Sequence, residues 1–332
     1  LVLSPDQNSA EMLLGEIRYF DRHEKVKRSA EFFPSWEFLP YEPLSPSKEV
    51  SGERIGVLKE LLDGGSPFVV APIEAALQYV FPKDNLKKAS FSILNGDNSD
   101  RELIEACLID CGYARFGMVE ERGHFSSRGD ILDIFIPSMK DPVRIEFFGD
   151  EVESIRVFDI ESQTTLREIE SLNVIPVREL CLTPDLIEKG FERISKRAKA
   201  TEIPSSRVTE IKEKFENLGR FPGMEVFSPF FYTEKNTLLD YFPPETLIVI
   251  DEPEDCQGKT DNRLDLTELE YGRGMENGDL IPPIDSLYIS SDEFREKISK
   301  RKILNLRMLS FSSEDDQDNQ LNIRLIPPLT GK

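Results

Sequence analysis

The segment 128–158, RGDILDIFIPSMKDPVRIEFFGDEVESIRVF, constrains the fold of this chain more than any other part of the sequence. Its apolar residues recur with a period of two, which predicts three strands, with a tight turn at 148–151 between the second and the third. Successive side chains of a strand point to opposite faces of its sheet. In VRIEFF one face therefore carries Val143, Ile145 and Phe147, and the other carries Arg144, Glu146 and Phe148.

The two faces of this sheet differ in chemistry. One is apolar and predicts a core, whereas the other combines an arginine, a carboxylate and a phenylalanine, which is typical of a docking surface for another protein. A half-solvated sheet whose polar face has no partner is also common among amphipathic hairpins. The pattern alone leaves both interpretations open.

The chain divides into segments of different character. Strands and helices alternate in residues 1–88, and this alternation predicts a mostly parallel sheet with helices on its faces. Residues 89–178 combine a helix, short strands and glycines at turns, which predicts a small α+β domain inserted into the α/β domain. Residues 179–312 return to helix-rich α/β sequence, and the acidic residues 313–332 are predicted to be a solvated linker.

The composition argues against several classes of function. With 62 acidic and 41 basic residues the formal net charge is −21, and a surface this acidic repels the phosphates of duplex DNA. No apolar run approaches the roughly 20 residues that a membrane span requires, so no membrane partner is expected. The four cysteines lack the spacing of metal ligands and are predicted to be reduced thiols of a cytoplasmic protein.

An apolar strand ending at Asp251-Glu252, in TLIVIDEPED, is the arrangement with which helicases hold Mg²⁺. Nucleotide binding also requires a glycine-rich phosphate loop with a lysine, and the sequence contains none. Gly258-Lys259-Thr260 has the right ending, but Pro253 stands where the first glycine belongs, and no strand is expected to lead directly into it. Because Leu1 lies inside an apolar strand and no initiator Met precedes it, we attribute the missing loop partly to a start downstream of it. No catalytic, cofactor-binding or metal-binding residue is predicted.

His124 stands close to Ser126-Ser127, and a serine beside a histidine suggests nucleophilic catalysis only when a third group orients the histidine. No G-x-S-x-G motif occurs in the sequence. We therefore predict a loop histidine with no catalytic task.

The run RGDILDIF, followed by VRIEFFGDEVESIRVFD, resembles the UvrB-like module of bacterial transcription-repair coupling factors (Mfd) and of the excision nuclease subunit UvrB. The upstream run FPSWEFLPYEPLSPSKEVSGERIGVLKELL is similar to the coupling factors, whereas UvrB has a tyrosine-rich stretch there. The resemblance extends over residues 1–309. It implies a degenerate helicase-like (P-loop NTPase-type) α/β domain that has lost nucleotide hydrolysis and is interrupted by a small α+β UvrA-binding domain.

The resemblance also implies a set of partner-binding residues. Arg128, Arg144 and Phe148 fall on positions that contact UvrA in the family, and Glu146 is expected to hold Arg144 in position. The chain departs from the family at Gly149, where an acidic residue is frequent, and this departure puts the turn geometry in doubt.

Arg128 has a second interpretation. An internal salt bridge to Asp130 or Asp133 would use its charge within the domain, and the sequence does not decide between this role and contact with a partner.

The function implied by the resemblance is that of a protein-interaction platform that recruits UvrA of nucleotide excision repair to stalled RNA polymerase in the bacterial cytoplasm. The fragment itself is expected to be no enzyme and to hold no cofactor. ATP and Mg²⁺, as well as contacts with RNA polymerase and double-stranded DNA, belong to downstream parts of the parent protein. The alternative is a nucleotide-dependent, UvrB-type helicase half that binds DNA.

Overall fold

The computed structural model describes residues 1–21, 29–218 and 221–308, so the predicted linker 313–332 lies outside the described residues. The strands are β1 Val2–Ser4, β2 Ala30–Phe32, β3 Phe68–Pro72, β4 Tyr79–Val80, β5 Phe91–Leu94, β6 Ala114–Arg115, β7 His124–Arg128, β8 Ile131–Ile134, β9 Val143–Phe148, β10 Glu151–Phe158, β11 Thr165–Glu168, β12 Ser171–Val174, β13 Asn236–Thr237, β14 Leu247–Asp251 and β15 Lys302–Leu306. The helices are α1 Gln7–Asp21, α2 Lys48–Leu62, α3 Ile73–Leu77, α4 Lys83–Lys88, α5 Arg101–Asp110, α6 Pro184–Ala200, α7 Ser205–Leu218, α8 Ser228–Phe231, α9 Leu238–Tyr241, α10 Pro253–Glu276 and α11 Ser291–Ser299.

A five-stranded parallel sheet in the order β15-β14-β1-β3-β2 forms the centre of the α/β domain. Helix α1 covers one face, where Ala10 and Leu14 pack on Val2 and Val70. A larger apolar cluster that includes Leu3, Val69 and Ala71 covers the other face, because side chains alternate along each strand. The predicted parallel sheet with helices on its faces is therefore confirmed.

The inserted segment forms a second sheet, in the order β11-β10-β9-β8-β7-β6. Its strands are antiparallel neighbours except β6 and β7, which run parallel. Strands β5 and β12 pair with each other, Phe91 opposite Val174 and Leu94 opposite Ser171, so the chain enters and leaves the insert side by side. The strands predicted within 128–158 are present, whereas the domain boundaries at 88, 178 and 312 stay predictions.

Helix α2 joins the insert to the α/β domain. A side chain at Gly52 would meet the backbone of Pro137 at 2.5 Å, so only glycine permits this approach. Arg54 is completely buried and donates to the Pro34 carbonyl at 2.8 Å and to Glu179 Oε2 at 3.2 Å. Glu179 follows the last strand of the insert, so this buried ion pair links the two domains.

Local hydrogen bonds set the bounds of two helices. Helix α2 begins at Lys48, because the Ser47 hydroxyl accepts a hydrogen bond from the Val50 amide and caps the helix there. Helix α3 ends at Leu77, where the chain turns extended and pairs β4 with β13. Among the described residues, no helix combines the length and the apolar character that a membrane crossing requires.

Candidate partner-binding surface

The face of the inserted sheet that points away from its core carries the predicted site residues. The strand register sets Arg128 opposite Ile131 and Ile131 opposite Glu146 in one cross-strand row. The neighbouring row sets Asp133 opposite Arg144 and Arg144 opposite Arg156. We call this face, defined by Arg128, Ile131, Asp133, Arg144, Glu146, Phe148 and Arg156, the outer face.

Arg144 is held by contacts on several sides. Its Nε and Nη2 donate to the two carboxylate oxygens of Asp133 at 2.7 and 2.9 Å, a bidentate geometry. Nη2 also donates to Gln163 Oε1 at 3.0 Å, and the guanidinium lies 4.5 Å from the ring centroid of Phe158. The hydrogen bonds that Arg144 donates to Asp133 raise the pKa of Arg144, so the side chain is a fixed cation.

Glu146 does not play the role predicted for it. Its carboxylate pairs with Arg156 at 3.0 Å and accepts from the Ser154 hydroxyl at 3.2 Å. The expectation that Glu146 holds Arg144 was wrong, because the carboxylate that lies directly across from Arg144 in the register is that of Asp133.

Arg128 is exposed at the end of β7 and forms no ion pair with a residue in the described part of the chain. The alternative of a salt bridge to Asp133 is wrong, since both oxygens of that carboxylate are bound to Arg144. Gly129 follows in the left-handed region, with φ at +55°, and its carbonyl accepts from Arg101. The backbone that carries Arg128 is thus fixed while the guanidinium is available.

Phe148 lies at the tip of the β9–β10 hairpin with 76% of its surface exposed. Gly149 follows with φ at +64°, a conformation that glycine adopts without strain, and the two strands pair directly at Phe148 and Glu151. The glycine that departs from the family pattern therefore fits the turn. A cavity of about 390 Å³ lies beside the ring, lined by Asn95, Gly96, Phe148, Glu151, Val152 and Glu153.

The prediction that His124 is a loop histidine was wrong. It opens strand β7, is buried, and stacks on Phe116 with ring centroids 4.1 Å apart. Desolvation by burial lowers the pKa of its imidazole. The Ser126 hydroxyl donates to the Gly117 carbonyl at 3.0 Å rather than to the histidine, so this pair is not arranged as a nucleophile and its base.

The carboxyl edge of the parallel sheet is the second candidate site. Strand β1 runs directly into helix α1 through Pro5-Asp6. Whether the chain starts downstream of a phosphate loop stays a prediction. Asp6 accepts from the Ser9 amide at 3.0 Å and pairs with Lys259 at 3.1 Å, so a carboxylate of the protein caps the N-terminus of α1.

The Gly258-Lys259-Thr260 run lies within helix α10. As predicted, no strand leads directly into this run, because β14 ends at Asp251 and the run follows the first turn of α10, which begins at Pro253. Only Glu252 separates β14 from α10, so there is no glycine-rich loop between them. Lys259 forms an ion pair with Asp6. Burial raises the pKa of Asp251, followed in effect by the charge of Glu252.

Metal-ligand geometry is absent from the described residues, where no three His, Cys, Asp or Glu side chains converge. The cysteines Cys107, Cys111 and Cys256 are free thiols. Burial raises the pKa of both Cys111 and Cys256 to about 12, so these two remain protonated at neutral pH.

Sequence reasoning missed the residues that support Arg144. Asp133 was considered only as a partner for Arg128, and Phe158 and Gln163 were not considered at all. The alternation of RGDILDIF places Asp133 on one face together with Ile131, but its cross-strand partner depends on the register of β8 and β9. The pairing of Asp133 with Arg144 therefore could not be predicted without the register of these two strands.

Comparisons with known proteins agree with the resemblance. Residues 91–180 match the family described as the UvrB interaction domain. The transcription-repair-coupling factor of Haemophilus influenzae is 28% identical over 331 residues, which are 99% of this chain and 28% of that protein. The factor of Myxococcus xanthus is 29% identical over 90% of this chain and 26% of its own length, and that of Bacillus subtilis is 31% identical over 68% of this chain and 20% of its own length.

The chain thus spans about a quarter of the length of the curated relatives it matches. It is similar over most of its own length to part of the transcription-repair-coupling factors, and it contains a UvrB interaction domain within a helicase-like α/β framework. The resemblance seen in the sequence is confirmed.

Proposed function

We propose that this chain is a protein-interaction platform of transcription-coupled DNA repair that recruits UvrA of nucleotide excision repair to stalled RNA polymerase. The outer face of the inserted sheet is the binding surface, and Arg128, Arg144, Glu146 and Phe148 belong to it. The observation that carries the proposal is the combination, on one face, of a fixed arginine at Arg144 and a phenylalanine that is 76% exposed. The combination matters because arginine and aromatic side chains together are enriched at the energetic centres of protein interfaces.

Arginine and aromatic side chains are the residue types that contribute most to protein interfaces. Phe148 offers a rigid apolar group at the tip of a hairpin, and Arg128 offers an exposed guanidinium on the same face. A polar network of Arg156, Glu146 and Ser154 surrounds them. Such a centre within a polar rim is the composition of a specific, moderately sized interface.

The proposal assigns no catalysis to this chain. The internal ion pair of Asp6 and Lys259 at the carboxyl edge of the parallel sheet supports this, since it uses the charge of Lys259 within the fold. We assign ATP, Mg²⁺, RNA polymerase contact and double-stranded DNA contact to other parts of the whole protein, which acts in the bacterial cytoplasm.

Calorimetric titration of the chain with purified UvrA from the same organism tests the proposal. We expect Arg144→Ala to weaken binding by about 2 kcal/mol, because it removes a central arginine. Arg295→Ala is the matched control, since Arg295 is an exposed arginine on α11, paired with Asp292 and distant in sequence from the outer face. Absence of binding by the folded, unmutated chain, or an equal loss in both variants, contradicts the proposal.

A further inference from the structure

We infer that Asp133 is a positioning residue for this surface. Together with Phe158 and Gln163 it forms a socket that holds the Arg144 guanidinium in one orientation, so that its remaining donors meet a carboxylate of the partner. The inference rests on the proposed function and adds how the binding arginine is prepared and which chemical group it recognises.

The hydrogen bonds of Arg144 show which donors are used. Asp133 takes Nε and one hydrogen of Nη2, and Gln163 takes the other hydrogen of Nη2. Nη1 has no acceptor among the described residues and is not a buried, unsatisfied atom. The side chain of Arg144 keeps 24% of its surface exposed, whereas that of Asp133 keeps 5%. The socket is therefore buried, and the donors left over are accessible.

Gln163 adds a second, independent observation. Its φ is +58°, in the left-handed region that residues other than glycine seldom adopt. Its side chain accepts from Arg144 and also donates to the Ile160 carbonyl at 2.9 Å. Strained backbone conformations of this kind are concentrated at binding sites. Glycine would relieve the strain but would remove one wall of the socket.

Orientation matters because a free arginine loses rotamer freedom when it binds. That side-chain entropy amounts to roughly 2 kcal/mol for an unrestrained arginine. A guanidinium that is already fixed by a bidentate carboxylate and an aromatic ring loses much less of it on association. The donors left over are the two N–H groups of Nη1, which carry positive charge and fit an oxygen acceptor with negative charge, in a protein partner a carboxylate.

A double-mutant cycle measured by calorimetry with UvrA tests the inference. Asp133→Asn keeps the shape of the side chain but removes its charge, and we expect binding about ten-fold weaker, in line with coupling between residues in contact. In the Arg144→Ala background the same change is expected to alter affinity by less than about two-fold, because the group it positions is gone. Asp292→Asn, which removes an exposed carboxylate paired with Arg295, controls for loss of charge alone.

The outcomes separate the inference from the proposed function. If the unmutated chain does not bind UvrA, the proposed function fails. If it binds and Arg144→Ala weakens it while Asp133→Asn does not, or if Asp133→Asn costs as much in the Arg144→Ala background, the positioning role fails. Thermal unfolding of each variant verifies the fold. Should Asp133→Asn unfold, Gln163→Gly replaces it, with weaker binding at unchanged or higher melting temperature expected and unchanged binding counting against the socket.

Discussion

Two regions of this molecule hold charged side chains in opposite ways. At the carboxyl edge of the parallel sheet, Asp6 and Lys259 satisfy each other, and Asp6 also caps its own helix. On the outer face of the inserted sheet, Asp133 fixes Arg144 but leaves Nη1 without an acceptor among the described residues, and Phe148 is exposed at the tip of the β9–β10 hairpin. The first region uses its charges within the fold, whereas the second leaves guanidinium donors and an aromatic ring open to solvent.

The largest expected effect concerns the buried ion pair of Arg54 and Glu179, which holds the chain against helix α2 where it leaves the insert. Replacing the completely buried Arg54 by Ala leaves the Glu179 carboxylate without its partner in a dry environment. We expect the free energy of unfolding to fall by about 3–5 kcal/mol, the loss typical of a broken buried pair. Urea unfolding measures it. Arg295→Ala is the control, and an equally small change in both variants would show that the link is unimportant.

Whether the outer face is available to a partner is tested most directly at Phe148. We expect Phe148→Ala to leave the free energy of unfolding within about 0.5 kcal/mol of the unmutated chain, because the ring is exposed. Binding to UvrA is expected to weaken by about 2 kcal/mol, the contribution of a central aromatic anchor. Leu94, which is 47% exposed, provides an apolar control in the same domain as Leu94→Ala. A large loss of stability in Phe148→Ala would mean that the ring serves the fold instead.

Whether the charges at the carboxyl edge of the parallel sheet stabilise the fold is tested at Asp6. The Ser9 backbone hydrogen bond has the largest effect and lowers the pKa of this carboxyl below its ordinary 3.8. Burial opposes it as the next largest effect, and the Ser9 hydroxyl and Lys259 lower the pKa further. We expect Asp6→Ala to cost about 1 kcal/mol of unfolding free energy at pH 7, as for the loss of a helix cap.

The sign of the pH dependence follows from that shift. Because the folded pKa is depressed, the stabilisation by Asp6 is complete above the unfolded pKa near 4 and is lost as the pH falls through the folded pKa. The difference between the unmutated chain and Asp6→Ala should therefore shrink between pH 4 and more acidic pH in chemical denaturation. A difference that stays constant through this range would show that Asp6 acts without its charge.

The smallest effect is expected at Lys259, whose ion pair with Asp6 is about half exposed. Lys259→Ala should change the free energy of unfolding by about 0.5 kcal/mol, the usual value for a surface pair. ATP titration of the same variant sharpens the comparison. Heat of ATP binding that is present in the unmutated chain and absent in Lys259→Ala would mean that the edge is still a nucleotide site.

The sequence predicted those features that depend on local pattern. The period of two in 143–148 identified which side chains face outward, and strand–helix alternation identified the parallel sheet. Features that depend on register or on distant packing could not be predicted. Whether Asp133 meets Arg128 or Arg144 depends on how β8 pairs with its two neighbours, and the buried pair of Arg54 and Glu179 joins residues 125 positions apart.

The start of the chain teaches a similar lesson. Leu1-Val2-Leu3 reads as an apolar strand in either a central or an edge position, and only the sheet order places it at the centre. That placement puts the Pro5-Asp6 connection at the carboxyl edge of the sheet, where Asp6 pairs with Lys259 of α10, a contact between distant parts of the sequence.

The pairing of β5 with β12 has a consequence for how such proteins are built. Since the chain departs from the α/β domain and returns to it through neighbouring strands, everything between Leu94 and Ser171 is a cassette that shares its two ends. A cassette of this kind can be exchanged between chains, or bridged by a short linker, without rerouting the host sheet. Recognition of a partner can therefore be acquired, lost or traded independently of the fold that carries it.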